Sequence, residues 1–288
     1  MDNDVFYPFY PELLTYYFFR AYDKREEKIY TNIFYCYCGV LMNADKPILH
    51  TIDDDGVMRI VINRPAEQNG LNWEANEMLA DCYREALDNP DIRVIVLTGN
   101  REYFHTGGRV NAKDEAEQKR YADSIERMQQ LQDALTIPVI CAVSGDCLKG
   151  GMAVLADADL AIARQGVRFG FPEVRMGGVP MVVMASTISM PKKMALEAYY
   201  SSEYFSAEDA LRMGLVNCVV SDDEFEDTVS RYVKMITDKP RALIEMTREA
   251  YYTMSEMPAK TDRKEYALRT LRTKVLTEMA VGKTEDHV

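Results

Sequence analysis

The chain has 288 residues, 47% of them hydrophobic, so it can bury a sizeable core in one large domain or two smaller ones. Its formal net charge is −12. Because nucleic acids and anionic membranes both attract basic surfaces, this acidic balance argues against either one as the main partner.

Neither a membrane helix nor a signal peptide is predicted. The chain has no uninterrupted apolar run of about 18 residues, the least that a transmembrane helix needs. It begins Met1-Asp2-Asn3-Asp4, whereas a signal peptide begins with basic residues. The six cysteines include no CxxC pair, which is typical of buried thiols in a reducing compartment, and the three histidines do not predict a metal site. We therefore expect a cytoplasmic protein that binds no metal.

Residues 1–41 differ in composition from the rest of the chain, because they hold eight of the 18 tyrosines and five of the 10 phenylalanines. Hydrophobic patterning predicts a short helix over 16–22 and a strand over 29–37. We interpret 1–41 as an atypical aromatic-rich extension, either a lineage-specific arm or an artefact of start-site choice, with Met42 as the real or ancestral start.

From residue 47 onward, hydrophobic periodicity predicts strands that alternate with helices. The predicted strands are 57–63, 92–98, 138–143 and 159–163. The predicted helices are 73–87, 113–135, 148–156, 191–201 and 206–213, followed by a helical pattern from 222 to the end. This alternation implies an α/β layered fold, with a core over 42–220 and a helical region over 221–288.

Boundary residues support several of these helices. Ser206 is predicted to cap the helix over 206–213, with Asp209 completing a capping box and Gly214 ending the helix. Pro240 and Pro258 are predicted to break the C-terminal helical pattern into separate helices.

Two glycine turns stand out, at 104–108 and 145–151, each placed after a hydrophobic strand. Glycines often serve only to make tight turns, but they also let backbone N–H groups approach a ligand oxygen closely. Two convergent N–H groups can hold a developing oxyanion, and a nearby carboxylate such as Glu173 can then move a proton. The pattern therefore favours acyl-transfer or enolate chemistry.

Phrases in one order along about 235 residues resemble the crotonase (enoyl-CoA hydratase/isomerase) superfamily. The phrases are 63–65 (NRP), 69–72 (NGLN), 94–99 (VIVLTG), 104–108 (FHTGG), 137–145 (IPVICAVSG), 150–151 (GG), 156–163 (ADADLAIA), 169–173 (FGFPE), 206–210 (SAEDA) and 214–217 (GLVN). The resemblance implies a crotonase-like spiral of ββα units with a helical C-terminal region, assembled as a homotrimer or a pair of trimers.

The resemblance also implies a substrate and a site. The substrate is an acyl-CoA thioester, with coenzyme A as part of the substrate and no further cofactor. By position, the oxyanion donors fall on the amides of Gly108 and Gly150, and the acid/base carboxylate on Glu173. Flanking Phe171, Val174 and Met176 are expected to desolvate Glu173 partly and to raise its pKa. The residues assigned to substrate binding are Ala66, Glu67, Gln68, Thr106, Arg109, Lys149 and Met181.

Two departures from the family pattern point to a particular chemistry. Hydratases of the family use a second carboxylate three residues after the oxyanion glycine, where this chain has Ala153. The family's glycine-rich segment is replaced by the apolar residues 180–185. Both changes predict a drier pocket with a single base, which favours an enoyl-CoA isomerase over a hydratase.

Three further residues carry open alternatives. Arg109 and Lys149 are unusual cations for their family positions. They are either surface charges or structural ion pairs, or they contact CoA phosphates or a carboxylate on the acyl group. His105 is expected to have a packed or hydrogen-bonded structural role.

The competing functions are hydratase activity through a rearranged site, other enolate chemistry such as decarboxylation or carbon–carbon hydrolysis, and non-catalytic binding of CoA esters. RNA binding is a further class, which the acidic balance disfavours.

Overall fold

Ten strands and nine α-helices make up the part of the chain that the computed structural model describes, residues 46–111 and 113–276. The strands are β1 (Ile48–Ile52), β2 (Val57–Ile62), β3 (Val94–Thr98), β4 (Tyr103–His105), β5 (Val139–Val143), β6 (Asp146–Leu148), β7 (Leu160–Arg164), β8 (Arg168–Gly170), β9 (Tyr204–Ser206) and β10 (Cys218–Val220). The helices are α1 (Trp73–Asp88), α2 (Glu115–Ala134), α3 (Gly150–Ala156), α4 (Met181–Ser186), α5 (Lys192–Ser201), α6 (Ala207–Arg212), α7 (Phe225–Thr237), α8 (Arg241–Glu256) and α9 (Lys260–Thr270). The predicted extension over 1–41, with its helix over 16–22 and strand over 29–37, lies outside the described residues.

The larger sheet has six strands in the order β1-β2-β3-β5-β7-β10. Only the β1–β2 pair is antiparallel, and the remaining pairs are parallel. The strands predicted over 57–63, 92–98, 138–143 and 159–163 are all present and form the middle of this sheet. Strand β1 was not predicted.

A second sheet of four short strands, in the order β4-β6-β8-β9, was not predicted at all. From β3 onward, successive turns of the chain contribute one strand to each sheet and then a helix, as in β3-β4-α2 and β5-β6-α3. The expected spiral of ββα units is therefore present. Because β4 and β6 each extend toward a glycine turn, this second sheet brings the two turns to the same region.

The central strands are apolar on both faces because helices cover both sides of the larger sheet. Ile95 and Leu97 belong to the core that includes α1 and α2, whereas Val94 and Val96 face a smaller cluster with α7. All four side chains are at most 1% exposed. Alternate side chains of β3 thus pack into two hydrophobic cores, one on each face of the sheet. This is typical of strands that are buried in a parallel sheet.

Local capping defines several helix starts, and the cap of α6 was predicted. The Ser206 side chain accepts a hydrogen bond from the Asp209 N–H, and Asp209 returns one from the Ser206 N–H, which completes the predicted capping box of α6. The Asn72 side chain caps α1 by accepting from the Ala75 N–H, and the Asp114 side chain caps α2 by accepting from the N–H groups of Ala116 and Glu117. The helix predicted over 148–156 begins later, at Gly150, because Leu148 pairs in β6 and Lys149 has a φ of +52° that no helix residue adopts.

The C-terminal region is helical as predicted, with α7 ending before Pro240 and α8 before Pro258. Helix α8 is tied to the sheet by an ion pair between Arg248 Nε and Asp159 Oδ1 at 2.9 Å. The Tyr252 hydroxyl donates to the same carboxylate at 3.0 Å. Among the helices of the described ranges, none is both long and apolar enough to cross a bilayer.

Asp157, at the C-terminal end of α3, leads to a prediction about the stability of the fold. Asp157 follows the last residue of α3, where a negative charge opposes the helix dipole. Burial raises the pKa of its carboxyl to about 6, although the Ser186 hydroxyl donates to it at 2.8 Å. Above pH 6 the folded protein must hold a carboxylate that the unfolded chain ionises more easily, so this group destabilises the fold by up to about 3 kcal/mol.

We therefore expect Asp157→Asn to raise the free energy of unfolding at pH 7 by about 1–3 kcal/mol. The gain should shrink as the pH falls below 6 and be mostly lost at pH 4, close to the ordinary pKa of 3.8 that the carboxyl has in the unfolded chain. Urea unfolding of both proteins at pH 7 and pH 4 measures this. An equal stability of variant and parent at pH 7 would contradict it.

Candidate active site

The two predicted glycine turns lie against each other. The Cβ that an alanine would add at Gly150 lies 3.6 Å from the Gly107 Cα, and a Cβ at Gly107 would lie 3.4 Å from the Gly150 nitrogen. Gly107 has a φ of +96°, a conformation that glycine adopts easily and other residues do not. The backbone amides of residues 107–108 and 150 therefore belong to one small region.

Neither candidate donor has a protein acceptor among the described residues. Leu71 pairs with Gly108 in an isolated bridge, in which the Leu71 N–H donates to the Gly107 carbonyl at 3.0 Å and the Arg109 N–H donates to the Leu71 carbonyl at 2.7 Å. Neither of these two hydrogen bonds involves the N–H of Gly108 itself. Gly150 is the first residue of α3, and such first-turn N–H groups have no partner within a helix. Both amides are thus available to a ligand oxygen.

The predicted CoA-binding loop is braced against the first turn. It forms a short 3₁₀ turn, Pro65–Glu67, whose residues are exposed. The buried Thr106 hydroxyl donates to the Gln68 carbonyl at 2.7 Å. Arg109 Nη2 donates to the Glu67 carbonyl at 2.9 Å, and Arg109 Nε lies 3.8 Å from the Glu67 carboxylate. Arg109 therefore forms structural contacts, as one of its two predicted roles proposed. These contacts connect the loop at 66–68 to the turn at 104–108.

Asn69 holds the base of this loop, a role that the sequence did not reveal. Its side chain is fully buried, and its φ of +53° is one that asparagine tolerates better than most residues. Its Nδ2 donates to the Tyr103 carbonyl at 2.7 Å, and its Oδ1 accepts from the Arg64 N–H at 2.9 Å. The fold uses Asn69 to fasten the loop to β4.

One carboxylate oxygen of Glu173 is buried and lacks a hydrogen-bond partner among the described residues. Its Oε2 is shielded from solvent and has no hydrogen-bond partner in the described part of the chain. Burial raises the pKa of its carboxyl, and the Lys149 charge opposes that rise. The expectation about the flanking residues was only partly right, because Val174 and Met176 are 44% and 65% exposed whereas Phe171 is buried. The turn at 172–178, closed by hydrogen bonds to the Glu173 carbonyl, places Val174 and Met176 on the outside.

Lys149 links the second turn to both other parts of the site. Its N–H donates to the Gly170 carbonyl at 3.1 Å. Its side chain crosses Gly107 so closely that a Cβ there would lie 2.7 Å from the Lys149 Cβ. Its charge acts on Glu173. Lys149 therefore lies among the predicted site residues rather than on a remote surface.

Ala153 and Met181, two positions singled out in the sequence, supply no charged group to the site. Ala153, where hydratases carry a second carboxylate, is a buried methyl group on α3. Met181 begins α4 and is 68% exposed, so the residues that the structure describes do not enclose it. Most of the segment predicted to dry the pocket, 180–185, lies in α4, where only Val183 is buried, and Pro180 just before this helix is buried too.

His105 is buried and hydrogen-bonded, as expected. Its Nδ1 lies 3.0 Å from the Asn69 carbonyl oxygen, to which it can donate. Burial lowers the pKa of the ring to about 4, so the imidazole is neutral at physiological pH. It supports the first turn without carrying charge.

Tyr121 on α2 is a site residue that the sequence did not indicate. Its hydroxyl oxygen lies 1.9 Å from the position that a Cβ on Gly108 would occupy. Burial raises the pKa of the phenol, so it is protonated at neutral pH. A tyrosine within an amphipathic helix has no distinctive spacing, and only the fold reveals that it faces a glycine 13 positions earlier.

Comparisons with known proteins identify the family. The family model for enoyl-CoA hydratase/isomerase matches residues 53–280. The chain therefore belongs to the enoyl-CoA hydratase/isomerase (crotonase) family, as its resemblance implied. Among curated relatives, the mitochondrial enoyl-CoA hydratase domain-containing protein 3 of Danio rerio is 26% identical over 210 residues, covering 70% of this chain and 72% of its own. A carnitinyl-CoA dehydratase of Salmonella paratyphi A is 28% identical over 216 residues, covering 73% and 82%.

Solved structures confirm the crotonase-like fold. Human enoyl-CoA hydratase domain-containing protein 3 superposes with a TM-score of 0.74 at 21% identity, covering 84% of this chain and 98% of that one. An enoyl-CoA hydratase from Mycobacterium smegmatis gives a TM-score of 0.73 at 24% identity, covering 84% and 97%. These likenesses establish the architecture, and the chemistry has to be inferred from the site.

Proposed function

We propose that this protein is an acyl-CoA enzyme that stabilises a thioester enolate, and that it acts as an enoyl-CoA isomerase with Glu173 as its single proton shuttle. The observation that carries this proposal is the presence of two backbone amides without a protein acceptor in the described ranges, together with a half-buried carboxylate whose Oε2 is shielded and has no partner there, at a site where Ala153 supplies no second acid. No metal or further cofactor takes part in the proposed reaction.

The proposed reaction moves one proton within the substrate. The amides of Gly108 and Gly150 donate to the thioester oxygen of a 3-enoyl-CoA, which makes the C2 proton more acidic. The Glu173 carboxylate removes that proton, and the electrons delocalise over a dienolate whose oxygen carries the charge. Glu173 then returns the proton to C4, giving the conjugated 2-enoyl-CoA. A raised pKa suits both directions of this transfer near neutral pH.

Loop 66–68 is proposed to contact the CoA portion of the substrate. The bonds from Thr106 and Arg109 hold this exposed loop next to the oxyanion turn. In this proposal Arg109 shapes the loop from behind, while Gln68 and its neighbours present exposed groups to the ligand.

Hydration or dehydration is the second candidate function. It is favoured by the similarity to a carnitinyl-CoA dehydratase. Adding water to a 2-enoyl-CoA needs a group that orients the water, and the buried Ala153 methyl cannot do this. A hydratase would therefore have to use a rearranged site, with Glu173 acting alone.

Two substrates distinguish these functions in one absorbance assay of the conjugated thioester. We expect 3-enoyl-CoA to gain that absorbance and crotonyl-CoA to be left unchanged. Loss of crotonyl-CoA absorbance would instead indicate hydration. Tight binding of CoA esters without any turnover would show a non-catalytic binder and overturn the proposed enzyme.

We further propose assembly as a homotrimer or a pair of trimers. Large apolar side chains on the segment after Glu173 are exposed, among them Met176, Val179, Met181 and Ile188 at 65% or more. A monomer rarely leaves so much apolar surface in one region. Light scattering should give a mass of three or six chains, and a monomer mass would contradict the proposal. The cytoplasm stays a prediction, since one similar protein is named as mitochondrial.

A further inference from the structure

The Tyr121 hydroxyl occupies the space that a side chain at residue 108 would need. The Tyr121 hydroxyl oxygen is 1.9 Å and its ring carbon Cζ 2.5 Å from the position of a Cβ on Gly108. Any other side chain at 108 would have to displace the phenol. The hydroxyl therefore lies directly beside the amino acid whose N–H is the first proposed oxyanion donor.

Buried hydrogen bonds fix the backbone that carries this tyrosine. The Ser124 hydroxyl donates to the Tyr121 carbonyl at 2.7 Å, and Asn76 Nδ2 on α1 donates to the Ser124 hydroxyl at 3.1 Å. Ser124 and Asn76 are 1% and 2% exposed. Because buried polar groups are costly to leave unpaired, this chain of bonds holds one turn of α2 in a fixed position on α1.

The hydroxyl itself has no protein acceptor in the described ranges of the chain. Its phenol is protonated at neutral pH, because burial raises its pKa. It is therefore a neutral donor, placed on a fixed helix and free to bind a ligand atom. A hydroxyl in a largely buried position gains most from such a partner.

Simple geometry shows which ligand atom it can reach. A Cβ lies about 2.5 Å from the nitrogen of its own residue, so the Tyr121 oxygen is at most about 4.4 Å from the Gly108 nitrogen. An acceptor that is hydrogen-bonded to both groups needs about 2.9 Å to the nitrogen and about 2.7 Å to the hydroxyl. These two lengths together exceed the separation, so the distances allow one oxygen to accept from both groups.

We propose that the Tyr121 hydroxyl is a third hydrogen-bond donor to the thioester oxygen, acting with the amides of Gly108 and Gly150. This inference rests on the proposed function and adds a residue to its catalytic site. Tyr121 transfers no proton in this role, because it stabilises the negative charge that develops on that oxygen while Glu173 moves the proton. With Ala153 in place of a second acid, it supplies a further polar group at the reacting centre.

Tyr121→Phe tests the role because it removes only the unpartnered hydroxyl and keeps the ring. We expect kcat to fall by about 10- to 100-fold, with KM within about three-fold, since a donor to developing charge acts mainly in the transition state. A second readout is the enolate absorbance of bound acetoacetyl-CoA, whose ionised fraction should also fall. Tyr200→Phe, at a residue 73% exposed on α5, is the matched control and should equal the parent in both measurements.

The outcomes separate this inference from the function on which it rests. A parent protein that turns over enoyl-CoA, together with a Tyr121→Phe variant that matches it in kcat and enolate absorbance, overturns only the third donor. A variant with a changed KM and an unchanged kcat also overturns it. That result would show that Tyr121 affects how the substrate packs in the site and not how the transition state is stabilised. A parent that neither turns over enoyl-CoA nor ionises acetoacetyl-CoA overturns the proposed function and the inference together.

Discussion

Glu173→Gln should abolish turnover while leaving CoA-ester binding within a few-fold of the parent. Glutamine has nearly the same shape but cannot take a proton from C2, so the loss in kcat should be about 10²- to 10⁴-fold, the usual contribution of a general base. Steady-state assays with 3-enoyl-CoA and calorimetric binding of a saturated acyl-CoA measure the two quantities. Glu226→Gln, at an exposed carboxylate on α7, is the matched control and should keep full activity.

The same carboxylate should set the acidic limb of the pH profile. The base must be ionised to act, so kcat/KM of the parent should fall as the pH drops through the pKa of Glu173 in the free enzyme. Because burial raises that pKa, the fall should begin at a higher pH than for an ordinary glutamate. Turnover by Glu173→Gln at the parental rate would remove this residue from the mechanism.

Gly150→Pro should lower kcat by about 10²-fold or more, because it deletes one oxyanion donor. Position 150 is the first residue of α3, where proline costs no intrahelical hydrogen bond. Gly150→Ala is the matched control, since it retains the N–H and its Cβ has 3.6 Å of room above Gly107. We expect the alanine variant to stay within a few-fold of the parent.

Thermal unfolding of both Gly150 variants separates lost catalysis from lost folding. Equal losses of kcat in the proline and alanine variants would contradict the donor role, because they would follow from bulk at position 150 rather than from the missing N–H. A folded proline variant with parental kcat would contradict it as well.

The parts of the fold that depend on local chemistry could be predicted from the sequence. The capping box between Ser206 and Asp209 joins residues three positions apart, and the apolar runs are continuous over four residues in β3 and five in β5. The two glycine turns were recognised because each follows a hydrophobic strand, and their roles came from the family resemblance. The structure places Gly107 and Gly150 next to each other.

The parts that depend on distant partners could not be predicted. Strands β4 and β6 have three residues each, and their pairing joins Tyr103 to Asp146, which are more than 40 positions apart. The start of α3 was misplaced because nothing in the sequence marks the positive φ of Lys149. Tyr121 stayed unnoticed because its importance comes entirely from its contact with Gly108.

The central claim is that two main-chain amides bind one oxygen, next to a single carboxylate. The most direct measurement is a crystal structure of the protein with a non-hydrolysable acyl-CoA analogue. We expect a thioester-equivalent oxygen about 2.7–3.1 Å from the nitrogens of both Gly108 and Gly150, with the Glu173 carboxylate beside C2. An analogue bound with that oxygen away from either amide, or with Glu173 turned to solvent, would contradict it.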